Sequence, residues 1–149
     1  MEWSLATFHA SAFVLLIVFL LYTRDALGPA LAGLNTLLGL ALFVALWATT
    51  YLTTCRALEG LDLQNEDDRK LFALRAFRWG AANGLAFLAV LGLVLVASAV
   101  FVTPSGLVPV LFVAPFALVI SAAVGALVGL VFSAIDLGLL ALARALADI

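Results

Sequence analysis

The chain has 149 residues, of which 66% are hydrophobic and 11% charged, whereas a water-soluble domain is roughly half apolar and a quarter charged. So much apolar surface excludes a soluble fold, and a formal net charge of -2 provides no basic face for nucleic acid. Cys55 is the only cysteine, which excludes an intrachain disulfide, a CxxC redox pair and a thiolate zinc site.

The charge is segregated. Ten of the sixteen charged side chains lie between Arg56 and Arg78, and the stretches on either side are almost uncharged. A membrane-crossing helix needs about 20 mostly apolar residues, since a hydrocarbon core of roughly 30 Å is crossed at 1.5 Å per residue. Four segments meet that length, so the expected fold is an all-α, four-helix transmembrane bundle.

The first span is expected at residues 3–22. It follows Met1-Glu2-Trp3-Ser4, which lacks the basic start of a signal peptide, so the reading keeps this span as an anchor. Arg24-Asp25 ends it, and Gly28-Pro29 is read as the turn that starts the next helix. The second span covers residues 30–52; Asn35 and Thr36 near its start are read as interhelical hydrogen bonders.

The loop over residues 56–78 contains Asn65-Glu66-Asp67-Asp68, a cap followed by three acids that complement a helix dipole. From there a helix is expected to run through Arg78 into the third span, residues 79–102. Arg75 and Arg78 on this extension are candidates for phosphate head groups. Thr103-Pro104-Ser105-Gly106 reads as a turn, and the fourth span covers residues 108–132. Pro115 within it predicts a kink. Beyond it the chain stays apolar to Leu146, which predicts a cytoplasmic or interfacial tail at residues 134–149, projecting or bent near Asp136 and Gly138.

Orientation follows from the basic residues, because short loops rich in Lys and Arg stay on the cytoplasmic side. Arg56, Arg69, Lys70, Arg75, Arg78 and Arg144 fall on one side and Arg24 on the other. Both termini are therefore expected in the cytoplasm, with helical extensions of the third and fourth spans beside them, and the location is the cell membrane.

Two constellations stand out. Ala117, Ser121, Gly125, Gly129 and Ser133 recur every four residues and form one ridge of small side chains, including a GxxxG pair that packs helices closely. Gly80 and Gly84 offer a facing surface. His9, Asn83 and Asp136 are polar residues in apolar surroundings, with Thr49 and Thr50 at similar depth. Brought together, His9 and Asp136 would make a proton-linked pair.

No catalytic constellation and no cofactor or metal site is read from the sequence. One histidine cannot supply paired haem ligands, and no hydrolase pattern or nucleotide-binding loop is present. The leading expectation is a non-enzymatic structural or accessory component that assembles into a homo-oligomer or a larger complex through the ridge. The alternative is a small oligomeric transporter or channel with an inner-leaflet polar site at His9, Asn83 and Asp136. A lipid-processing enzyme is a third reading, resting on Arg75 and Arg78 alone.

Overall fold

The computed structural model describes residues 2–32, 36–63, 65–102 and 107–147, with the backbone alone described for 98–102 and 107–111. All secondary structure among them is helical: α1 (Glu2–Thr23), α2 (Leu27–Ala32), α3 (Thr36–Leu58), α4 (Glu66–Val102) and α5 (Leu107–Ala147). Four of these, α1, α3, α4 and α5, are long and apolar enough to cross a membrane. Asn35 and the expected turn at 103–106 lie outside the described residues.

α1 stops at Arg24-Asp25, as the sequence suggests, while the turn expected at Gly28-Pro29 lies earlier, around Asp25. Asp25 takes a left-handed conformation with φ 52°, Ala26 N–H bonds the Leu21 carbonyl at 2.9 Å and Asp25 N–H bonds Tyr22 at 3.1 Å. This is the paired closure of a Schellman end, and Asp tolerates the left-handed position better than most residues with a Cβ. Gly28 and Pro29 are instead inside α2. Proline fits there because the first turn of a helix has no partner for its missing N–H.

α4 begins where the cap chemistry places it. Asn65 Oδ1 accepts from Asp67 N–H at 3.3 Å while the Asn65 carbonyl accepts from Arg69 N–H at 3.2 Å, and Glu66, Asp67 and Asp68 occupy the positive end of the dipole. The helix then continues for 37 residues without a break. α5 continues for 41 residues through Asp136 and Gly138, so neither residue ends it. At 1.5 Å per residue it is about 60 Å long, twice the thickness of a hydrocarbon core.

The helices pack in sequence, α1 along α3, α3 along α4, and α4 along α5 most extensively. Among the described residues, what they bury is mostly small: Ala6, Ala10, Ala57, Ala76 and Ala126, with Leu46 and Phe72 as the large apolar side chains. Large apolar groups point outward instead, among them Leu15, Phe19, Leu93, Phe112 and Val119. Residues 15–20 of α1 are exposed on every face.

Three arginines fasten the segment between α3 and α4. Arg75 Nη1 donates to the Glu59 carbonyl at 2.5 Å, and Arg69 Nε and Arg144 Nη2 both donate to the Leu63 carbonyl, at 3.1 and 3.0 Å. The last contact ties the far end of α5 to this segment, which fixes the direction of the long helix.

Candidate functional site

The ridge on α5 is occupied within the chain. Gly125 and Gly129 lie against Gly80, Gly84 and Ala76 of α4 so tightly that a Cβ at Gly125 would press on the Gly80 carbonyl, and one at Gly129 would sit 3.1 Å from Gly80 Cα. Ser121 Oγ donates to the Gly84 carbonyl at 2.8 Å, a hydrogen bond from one helix to the other. Glycine is needed at this crossing because backbone meets backbone. At the ends of the ridge, Ala117 borders an open-sided cavity, and Ser133 is buried and donates back to the Leu130 carbonyl at 2.9 Å.

Close approach at the ridge leaves space elsewhere. An open-sided cavity of about 550 Å³ lies among α1, α3, α4 and α5, and its lining includes Val113, Phe116, Ile120 and Val124 of α5, which are exposed. Its walls are largely apolar and aromatic, with Phe13, Phe72, Trp79, Phe87, Phe116 and Phe132 contributing rings. Set into those walls are His9, Thr50, Asn83, Ser133 and Asp136.

His9 reaches the cavity because Ala6 and Ala10, on the same face of α1, are small enough to let the helix come close. Its Nε2 lies 3.2 Å from Asp136 Oδ1 of α5, and both side chains are about nine-tenths buried, at 10% and 9% exposure. The imidazole also stacks on Phe132, one turn before Asp136, with ring centroids 4.3 Å apart and 26° between planes. A buried carboxylate is costly unless it is hydrogen-bonded or paired, and the imidazole supplies a partner in either protonation state. Neighbouring contacts hold α1 in place: Trp47 Nε1 donates to Thr7 Oγ1 at 3.0 Å, and Trp3 meets Trp47 edge to face at 6.3 Å.

Asn83 does not join that pair. Its Nδ2 donates to Thr50 Oγ1 at 3.2 Å, linking α4 to α3, and its buried Oδ1 has no hydrogen-bond partner among the described residues. Such an orphan costs about 1–3 kcal/mol, so it marks either a strained position or a place where a further donor fits. The three polar residues singled out in the sequence thus border one cavity as two separate pairs, His9 with Asp136 and Asn83 with Thr50.

The two arginines considered for head groups diverge. Arg75 is engaged with the Glu59 carbonyl, which removes much of its freedom to reach outward, whereas Arg78 is exposed. Cys55 has its Sγ 3.8 Å from Glu2 Oε2, near the start of α1. Among the described residues, no group of three His, Cys, Asp or Glu side chains could hold a metal ion. Sequence reasoning missed Phe132 as a partner of His9; its spacing of four from Asp136 was the available signal.

A model described as a family of unknown function, DUF7965, matches residues 1–149. No curated protein and no solved structure matches the chain.

Proposed function

The chain belongs to the DUF7965 family, and from that premise we propose that it is a multi-pass protein of the cell membrane whose cavity between the helices is a solute site of a small transporter. Four helices of sufficient length and apolarity, with large apolar side chains facing outward, support insertion in a bilayer. Both termini and the segment between α3 and α4 are on the cytoplasmic side in this reading, as the basic residues gathered there favour.

The observation that carries the proposal is the buried His9–Asp136 pair on the wall of a cavity. Ionisable residues are kept inside apolar helices at a cost in stability, and they commonly mark ion or substrate paths. The ridge on α5, by contrast, is taken up by α4 and gives no argument for assembly. An oligomer of this protein would have to form on another face, such as the exposed outer half of α1. The role proposed is a non-enzymatic one; the Ser133 hydroxyl on the cavity wall donates to the Leu130 carbonyl.

The test uses a Cys55→Ser background in which Ser133→Cys supplies the only thiol. A membrane-impermeant methanethiosulfonate reagent applied to inside-out vesicles should label it, and the same reagent applied to right-side-out vesicles should not. No labelling from either face would show a closed packing cluster and end the proposal.

A further inference from the structure

We infer that the cavity selects lipophilic organic cations, and that it takes one up in exchange for the proton on His9. This inference rests on the reading of the cavity as a solute site. It adds the charge and shape of the solute.

The charge follows from an inventory of the walls. Among the described residues that line the cavity, α3 and α4 contribute no titratable or charged side chain, α1 contributes His9, and α5 contributes Asp136. No lysine or arginine faces the space, so an anionic solute would meet the Asp136 carboxylate without a lasting counter-charge. Asp136 has one partner able to carry positive charge, the imidazole 3.2 Å away. When that imidazole loses its proton, the carboxylate is left as a buried anion with a neutral hydrogen-bond partner. Such a group strongly favours the arrival of another cation.

The shape follows from the rings. Phe72, Trp79, Phe87 and Phe132 are four of the aromatic side chains on the walls, and an aromatic face attracts a cation through its quadrupole, more strongly when water is excluded. A cation whose charge is spread over an apolar body loses little hydration and buries its surface against the rings. The volume of about 550 Å³ is in the range of ordinary small-molecule pockets.

Charge balance defines the exchange. In the protonated state, imidazolium and carboxylate neutralise each other. Entry of a monovalent cation places a second positive charge beside the first, the imidazolium gives its proton to water, and the carboxylate remains paired with the new cation. One proton leaves for each cation bound.

The experiment measures tetraphenylphosphonium and its near-isosteric anion, tetraphenylborate, by calorimetry on the full chain in nanodiscs, with empty nanodiscs subtracted. Tetraphenylphosphonium should bind at least tenfold tighter than tetraphenylborate. Its affinity should rise with pH. Repeating the titration in buffers of different ionisation enthalpy should reveal up to one proton released per cation at the acid end. Asp136→Asn should lower cation affinity at least tenfold. His9→Gln, which keeps a hydrogen bond to Asp136 without a titrating group, should abolish the pH dependence.

Equal binding of the two probes, or cation binding with no proton release at any pH, overturns the inference, and neither result needs a variant that folds. Absence of binding by both probes also overturns it. In each case, labelling of Ser133→Cys from the cytoplasmic face would leave the cavity as a solute site of other specificity.

Discussion

His9 Nε2 lies 3.2 Å from Asp136 Oδ1, so two ionisable side chains 127 positions apart connect the first long helix to the last. The pair is a buried one, and that determines how its removal should read. Deleting one member of a buried pair costs about 3–5 kcal/mol because the other is left uncompensated, whereas replacing both with apolar residues is often neutral or stabilising. In detergent, His9→Ala should therefore destabilise the protein by roughly 3 kcal/mol. The double variant His9→Leu with Asp136→Leu should unfold within about 1 kcal/mol of the wild type while losing solute binding. Equal damage from the single and double variants would contradict this assignment.

The Gly80–Gly125 crossing makes a different prediction. A Cβ at Gly125 meets the backbone of α4, which cannot step aside as a flexible side chain could. Gly125→Ala should cost about 1–3 kcal/mol, the usual range for overpacking, and Gly125→Leu more. Unfolding should report the loss, and the elution volume of protein that remains folded should stay unchanged. A variant of normal stability that shifts oligomer size would place the ridge at an interface between chains.

At the start of α4, Asn65→Ala removes the acceptor for Asp67 N–H. The expected cost is about 1 kcal/mol, typical for an N-cap. Amide exchange should speed up over Glu66–Arg69 and remain slow near Asn83. Uniformly faster exchange along α4 would mean that the cap supports more than its own turn.

The proposed orientation is tested by fusions at the C-terminus. A green fluorescent reporter after Ile149 should fluoresce, and alkaline phosphatase at the same position should be inactive. The reverse pattern would invert the bundle and place the segment between α3 and α4 outside.

Much of this architecture is visible in the residues themselves. Long apolar runs announce four helices, and Asn65 with the three acids that follow marks the start of α4 within one residue. One feature differs for a physical reason. Gly28-Pro29 reads as a turn, yet both residues lie inside α2, because proline also fits a first helical turn, and the chain turns at Asp25, where the sequence ends α1. For the tail the sequence leaves a projecting and a bent helix open; a single glycine costs a helix only about 1 kcal/mol, and α5 passes through Asp136 and Gly138. His9, Asn83 and Asp136 could be picked out because each is polar within an apolar stretch. The pairing of His9 with Asp136 is legible as well, an imidazole and a carboxylate at similar depth, and the two side chains meet at 3.2 Å. The partner of Asn83 is not, since periodicity shows which face a residue occupies and leaves open which helix it meets; Asn83 meets Thr50.

A chain with a single histidine allows the central claim to be tested without assignment. Protein labelled with ¹⁵N-histidine and reconstituted in bilayers should give one imidazole spin system by solid-state NMR. The account predicts that its Nε2 resonance shifts in Asp136→Asn, which replaces the carboxylate beside it, and that its ring proton exchanges with water, which reaches it through the cavity. An imidazole signal that is identical in the two proteins and sealed from water would contradict it.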